Sequence, residues 1–351
     1  MIILALDLGS TSRKATKTFA TILNTDSGEV FRTAVPTTID GLLKLHGEHR
    51  PDRVVLEVTR GCGWVTDLYR GAGVAEVQVA NPMDEAWRNR TSKTDRKDAD
   101  LLARLSASGQ LRTVHIPERP VREWRELIDY RHRLVRSRTR VKNRIKSILV
   151  NQGLATGSLW NASGLAYLGV LAKPLEICDA TELWRGELWI ELERLREIGV
   201  HVKVVTKRLD SLVASSSPAH ELLEVDGVGP RCAEIVTAAI DDPLRFRNRK
   251  DIGAYFGLVP RVLQSGGGLR HGRITKAGDG LTRAILVEVV HIGIRREGWI
   301  KTTFEQYLRK DPQRQKRAIT ATARRLAVRL WAKLRDHRRA HPTIVTLSAA
   351  A

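Results

Sequence analysis

The period of apolar and polar positions changes several times along the chain, and each change marks an element. Ile2–Leu8 is an apolar run broken only by Asp7, the pattern of a buried strand. Thr18–Leu23 and Val30–Val35 read as two further strands joined by a turn at Asp26-Ser27-Gly28. Gly41–Glu48 reads as a helix. Val54–Val58 is a strand carrying Glu57 near its end, and Val74–Val79 is another, closed by Asn81-Pro82. Lys97–Ser106 predicts a helix with Ala99, Leu102 and Leu105 near one face. Alternating strands and helices of this kind predict an α/β domain with a mixed sheet.

Beyond Pro117 and Pro120 the period becomes helical. Val121–Val150 forms one long helix whose apolar stripe is Trp124, Leu127, Leu134, Val141, Ile145 and Ile148. Its other faces are crowded with cations, among them Arg136, Arg138, Arg140, Lys142 and Arg144. Gly153 is a fitting C-terminal cap. Residues 154–175 are rich in Gly and Ala and give no clear period. Thr181–Val213 predicts a second long helix. Its Leu195, Ile198, Val202, Val205, Leu209 and Leu212 alternate spacings of three and four, a heptad seam that predicts a coiled-coil contact and a dimer built on it. Ser215-Ser216-Ser217-Pro218 reads as a linker. The remainder is mainly helical around a glycine-rich centre, and ends in a helix over Ala318–Arg338 whose period buries Leu326, Leu330, Trp331 and Leu334 and exposes Arg324, Arg325, Arg329, Lys333 and Arg335.

Charge narrows the function. Lys and Arg number 59 against 39 Asp and Glu, giving +20, and the excess runs along most of the chain. Self-repulsion of that size points to a polyanionic partner, nucleic acid before membrane. No stretch of 18 apolar residues offers a membrane span. Met1–Leu8 contains Asp7 and lacks a basic leader, so it reads as a strand and not as a signal peptide. Cys62, Cys178 and Cys232 are scattered and odd in number, which fits a reducing, bacterial-type cytosol, close to the nucleoid, without disulfides or structural zinc.

Five short constellations hold the candidate chemistry. Asp7 ends an apolar strand just before Gly9, so the sheet would hold its carboxylate rigidly. Glu57 follows the Val54–Leu56 run. Asp95 and Asp98 lie three apart at a helix start, so both carboxylates can face one way, although the same spacing also suits a helix cap. Asp100 reads as a solvent-facing helix residue. Four such carboxylates suit two Mg²⁺ ions, which prefer hard oxygen ligands and can flank a phosphodiester exchange. Gly227-Val228-Gly229-Pro230 lies between short helices and resembles a helix-hairpin-helix, a grip on the nucleic-acid backbone; a plain tight turn is the alternative. Ser265 precedes three glycines and is followed by Arg270, His271, Arg273 and Lys276. That arrangement suits either a flexible loop or a serine brought close to a phosphate.

Together these residues resemble the bridge-RNA-guided insertion-sequence transposases with an acidic tetrad, the IS110 and IS1111 group. The resemblance rests on Asp7-Leu8-Gly9, Leu56-Glu57-Val58-Thr59 and Lys93-Thr94-Asp95-Arg96-Lys97-Asp98-Ala99. It rests also on Gly227-Val228-Gly229-Pro230 and on Gly257-Leu258-Val259-Pro260 leading to Gln264-Ser265-Gly266. It implies a RuvC-like, RNase-H-like domain core over 1–118, with the long basic helix of 119–153 completing that domain. It further implies a helical coiled-coil segment over 154–218, a C-terminal transposase domain over 219–340 and an unstructured tail over 341–351. Asp7, Glu57, Asp95 and Asp98 would be the Mg²⁺ ligands. Ser265 would be the nucleophile that takes a DNA phosphate as a covalent link, at a site joining acidic and serine domains of different protomers. The expected partners are DNA at element ends and target, a structured guide RNA, and further copies of the chain as a dimer or tetramer.

Three other readings compete. Asp7-Leu8-Gly9-Ser10-Thr11-Ser12 also resembles the first phosphate loop of actin-like sugar kinases, but no second phosphate loop or adenosine motif follows. A four-way-junction nuclease would use the same acids with water as nucleophile. A basic scaffold would only bind. If the basic helix is the binding surface, replacing Arg136, Arg138 and Arg140 by Ala weakens nucleic-acid binding and flattens its salt dependence. Unchanged affinity in a filter-binding titration would move the surface elsewhere.

Overall fold

A computed structural model describes residues 1–9, 16–81, 94–265, 268–310 and 312–342, and the side chains of 95, 263–265 and 268–271 lie outside the description. Two compact units divide the chain, Met1–Arg119 and Pro120–Ala351.

The first unit is built on five strands, β1 (Ile2–Asp7), β2 (Lys17–Asn24), β3 (Val30–Pro36), β4 (Arg53–Glu57) and β5 (Glu76–Ala80). Their spatial order is β3-β2-β1-β4-β5. The first three form an antiparallel meander, while β1, β4 and β5 run parallel. Crossover helices α1 (Ile39–His49) and α2 (Cys62–Gly71) make the parallel pairing possible. Thr38 starts α1 by accepting a hydrogen bond from the Gly41 amide at 3.1 Å. Helix α3 (Asp95–Ala107) follows β5.

Strand parity sorts the apolar residues onto two faces. Leu4, Leu6, Val54 and Leu56 share a core with Leu42 and Leu45 of α1 and Val65 and Tyr69 of α2. Ile3, Ala5 and Val55 point the other way, into a core with Leu102, Ala103 and Leu105 of α3. The sheet is therefore sandwiched, with α1 and α2 on one face and α3 on the other. Tyr69 is buried and donates to the Leu42 carbonyl at 3.1 Å, so its hydroxyl is satisfied, and burial pushes its pKa up. Asp100 departs from its expected exposed role. Its carboxylate accepts from Thr21 at 2.8 Å and from Arg32 at 2.9 Å, which ties α3 to β2 and β3. Burial pushes the Asp100 carboxyl up, but those hydrogen bonds and the charges of Arg32 and Arg104 leave it below its ordinary value.

The second unit begins with an antiparallel helix pair, α4 (Arg119–Asn151) and α6 (Leu183–Ser215), each of 33 residues. Helix α5 (Ala162–Leu171) lies in the stretch that lacked a clear period. Val141, Ile145, Ile148 and Leu149 near the end of α4 pack on Leu188 and Leu192 near the start of α6. Trp124 and Ile128 near the start of α4 join Val205, Leu209 and Val213 near the end of α6. The heptad seam thus packs against α4 of the same chain. The buried apolar stripe of α4 packs on helices of the second unit.

The expected linker is also a correction. Ser216 is 7% exposed and caps α7 (Ser217–Leu223), with Pro218 in its first turn, so two helices abut where a flexible joint was read. After α7 come α8 (Pro230–Ile240), α9 (Arg249–Tyr255), α10 (Gly280–Gly293), α11 (Trp299–Lys310) and α12 (Gln315–Ala340). Between α9 and α10 stands an antiparallel hairpin, β6 (Pro260–Ser265) and β7 (Gly268–Ile274), which the helical reading of this region missed. Helix α12 buries Leu326, Leu330, Trp331 and Leu334, as its period predicted. Among the described residues no helix is long and apolar enough to cross a membrane. The three cysteines are free.

Where the chain leaves β1, Gly9 lies so close to the start of β2 that a Cβ would sit 2.4 Å from the Lys17 carbonyl oxygen. Replacing Gly9 by Ala therefore forces a backbone shift. Urea unfolding should show a loss of about 1–3 kcal/mol; an unchanged midpoint would contradict the close approach.

Candidate active site and nucleic-acid interface

The acidic residues of the first unit are organised by register. Leu6 pairs with Leu56 across the parallel β1–β4 ladder, so Asp7 and Glu57 are the next residues on neighbouring strands. Their backbones are then about 4.8 Å apart, the spacing of paired strands. Both continue the parity of Ala5 and Val55, which face α3. Both side chains are half-buried at the open end of the sheet.

Helix α3 brings the third acid to the same face. Asp98 lies four and seven residues before Leu102 and Leu105, on the stripe that α3 presses against the sheet, and is only 4% exposed. Its amide is bonded to the Thr94 carbonyl at 3.0 Å, inside the first turn. Asp95 is one turn earlier in the same helix, and its side chain lies outside the described residues. Among the described residues no set of three His, Cys, Asp or Glu side chains is close enough to hold one ion. Asp7, Glu57 and Asp98 thus share one face of one unit without forming a closed cage. The donor set is all carboxylate oxygen, the chemistry that suits a hard divalent cation.

In the second unit the glycine pair stands where a turn joins α7 to α8. Val225 and Val228 anchor the turn in the core, and Gly229 is exposed. Gly227 has φ +86°, a conformation that favours glycine, and a Cβ there would meet the end of the Ile300 side chain at 2.9 Å. Gly229 caps α8, and Pro230 occupies its first turn. Arg231 then pins α8 to its neighbours. It contacts Asp210 of α6 and lies 3.2 Å from Glu234. The far end of α8 is closed by Arg125 of α4, whose guanidinium donates to the Ala238 and Ala239 carbonyls at 2.7 and 3.1 Å.

Ser265 ends β6 and is paired with Gly268, so it stands at the tip of the hairpin. The foot of that hairpin is clamped. Gly257 and Gly278 both have positive φ, and a Cβ on either would come within 2.4 Å of the facing backbone. Arg283 donates to the Phe256 and Ala277 carbonyls, each at 3.0 Å. Asp279 caps α10 through the Leu281 and Thr282 amides. Arg273 and Lys276 are exposed, while the side chains of Arg270 and His271 lie outside the described residues.

The basic helix divides into engaged and open cations. Arg144 is paired with Glu187 of α6, and Lys142 lies over the Trp160 ring at 4.6 Å. Burial, with help from Arg138 and Lys146, lowers the Lys142 pKa. Arg136 and Arg140 are exposed and Arg138 is half-buried. Sequence reasoning missed the concave surface between α9, the hairpin and α12, seeing Arg324 and Arg325 only as an exposed helix face. The signal was present in the spacing of Lys316, Thr320 and Arg324, which recur at i, i+4 and i+8.

Comparison with known proteins agrees with this layout. Residues 14–152 match the model of a DEDD-type family described as a transposase, and residues 219–305 match that described as the transposase IS116/IS110/IS902 family. Glu57, Asp95 and Asp98 fall within the first match and Ser265 within the second; Asp7 precedes both. The chain is 26% identical to a putative transposase of Sinorhizobium fredii, covering 70% of this chain and 62% of that protein. It is 29% identical to a probable family 20 transposase of Pseudomonas aeruginosa, covering 58% and 60%. It is also 26% identical to the transposase for insertion sequence element IS1111A of Coxiella burnetii, covering 79% and 77%. The match to the first two relatives spans about three fifths of their length.

Glu234, which helps hold the glycine turn's helix, is 2% exposed. Burial pushes its carboxyl up to about 7, against the pull of Arg231 and of Arg131 on α4, with Asp210 adding to the rise. A carboxyl with a raised folded pKa keeps its proton after the unfolded chain has lost it. Stability from this group therefore falls as pH rises from about 4.5 to about 7 and is level above that. Glu234→Gln should remove that slope, gaining on the order of 3 kcal/mol over wild type at pH 8 relative to pH 4. Parallel stability-versus-pH curves for the two proteins would contradict this.

Proposed function

We propose that this chain, which belongs to the IS116/IS110/IS902 family of insertion-sequence transposases, cuts and rejoins DNA with divalent ions held by Asp7, Glu57, Asp95 and Asp98. The observation that carries the reading is the register of β1 on β4. It sets Asp7 and Glu57 side by side on the face that α3 covers with the buried Asp98. The strand order β3-β2-β1-β4-β5, with β2 antiparallel to its neighbours, supports an RNase-H-like core. Family membership replaces the sugar-kinase reading of the loop after Asp7.

When bound, a pair of Mg²⁺ ions would supply positive charge to both the attacking and the leaving oxygen of a phosphodiester. The protein's part is to hold the carboxylates in place. Asp7 and Glu57 are fixed by the sheet ladder, and Asp98 by burial within the first turns of α3. Positions on paired strands and a packed helix lose little geometry to thermal motion, which a phosphoryl-transfer site needs.

Ser265 is the proposed nucleophile. Its hydroxyl oxygen forms a bond to phosphorus as one sugar oxygen leaves, the serine proton passes to solvent or a base, and the departing oxygen takes up a proton. The number of phosphoester bonds is conserved, so the link can be reversed by an incoming strand end without another energy source. The clamped hairpin supports this role, because Ser265 stands at the end of β6, in a hairpin whose foot is fixed by Gly257, Gly278 and Arg283. DNA at element ends and target and a structured guide RNA are the proposed partners, and the +20 charge supports polyanion binding by a route that reads shape more than sequence.

On a branched DNA substrate with Mg²⁺, wild type should give cleavage and a covalent DNA–protein adduct. Asp7→Ala should lose both. Ser265→Ala should lose the adduct while keeping DNA binding. Cleavage without an adduct in wild type would favour water as the nucleophile, and full activity of Asp7→Ala would discard the metal assignment.

A further inference from the structure

Two concave surfaces in the second unit meet along one face of α12, and both are cationic. The first, of about 570 Å³, is rimmed by Arg249, Lys250, Arg324 and Arg325. The rest of its lining is Gly253, Val259, Tyr307 and Val328, of which Tyr307 and Val328 pack against the core and form a floor. The second, of about 720 Å³, sets Arg273 and Lys276 at the foot of the hairpin opposite Lys316 and Thr320 of α12. Arg324 lines both. Among the described residues no carboxylate lines either surface.

The fold holds Arg324 in this position. Gly253 of α9 is buried, and a Cβ there would come within 3.1 Å of both the Arg324 stem and Val259. A side chain there would press on the arginine stem that lines both hollows. The opposite face of α12, with Ala323, Leu326, Ala327 and Leu330, is locked in the core, so the cations cannot turn away from one another.

Gathering cations on surfaces whose described lining holds no carboxylate costs repulsion in a chain already at +20, and a polyanion is the ligand that relieves it. Phosphate alone would not need the floor of Tyr307 and Val328. An unpaired base needs such a floor, since it gains by stacking on an aromatic ring and leaving water. In a duplex the bases are stacked inside, and only phosphates would reach the rim. We infer that this groove seats a single nucleic-acid strand, with its phosphates along the Arg249–Arg324–Lys316 line and one unpaired base on the Tyr307 floor. The inference deepens the nucleic-acid reading given above and rests on it. The hairpin links the two: Pro260, at the groove, lies five residues along β6 from Ser265, roughly 17 Å at strand rise.

The test is fluorescence anisotropy with the full chain in EDTA, using a labelled DNA dodecamer, the RNA of the same sequence and the DNA duplex. Wild type should bind one or both single strands more tightly than the duplex, and the two strand arms tell DNA from RNA. Tyr307→Ala should weaken strand binding roughly tenfold and leave duplex binding unchanged. Lys250→Glu and Arg325→Glu, both at exposed positions that folding tolerates, should weaken strand binding and reduce its salt slope by about 0.7 or more per lost phosphate contact. Wild-type affinity and slope in both charge reversals would overturn the groove. Equal losses on strand and duplex in Tyr307→Ala, or none in a protein that still melts like wild type, would overturn the base seat. Because the assay contains no divalent ion, its failure would leave the metal-dependent cleavage reading standing, and failure of cleavage would leave the groove standing.

Discussion

Everything proposed for the first unit depends on one pairing, Leu6 against Leu56 in the parallel ladder of β1 and β4. A strand shifted by one residue exposes the opposite set of side chains. With the register as it stands, Ile3, Ala5 and Val55 bury against α3, and the next positions of the same parity are Asp7 and Glu57. The apolar core thereby decides where the acids go. Leu102 and Leu105 of α3 close that core and carry Asp98 toward the sheet, while Asp100, two residues on, is held by Thr21 and Arg32. Two neighbouring aspartates of one helix have separate duties, one buried toward the acidic face and one fastening the helix to the sheet.

The second unit follows a different logic. Its long helices spend their apolar stripes on each other, so their cations divide between those that brace the pair, such as Arg131 and Arg144, and those left open, such as Arg136 and Arg140. Arginine also closes helix ends: Arg125 at α8 and Arg283 at the hairpin foot donate to backbone carbonyls that no helix bond can reach. Part of the +20 is therefore structural. Another set lines the concave surface between α9, the hairpin and α12, where no carboxylate is among the described lining residues.

Periodicity made the strands and long helices legible. Predicted and observed limits of β2, α3, α4 and α12 differ by only a few residues, because each element buries one regular face. The hairpin of β6 and β7 escaped, since a two-stranded ribbon in polar surroundings has no apolar alternation to announce it. Helix α7 escaped because Ser216 and Pro218 look like a linker and are in fact a cap and a first turn. The heptad of α6 was legible as a seam, but a sequence does not say whether the partner helix belongs to the same chain. Asp7, Glu57 and Asp98 were legible as acids at element ends. The groove was not, because its lining comes from four separate stretches of chain that only tertiary packing brings together.

The central claim is that Asp7, Glu57 and Asp98 act together in holding divalent ions, and a double-mutant cycle on ion binding tests it most directly. Calorimetric titration of Mn²⁺ into wild type, Asp7→Asn, Glu57→Gln, Asp98→Asn and the paired variants separates shared from independent ligands. A common site predicts that each single change removes most of the binding and that the second adds little. Additive losses, or binding that none of the three changes disturbs, would contradict the account.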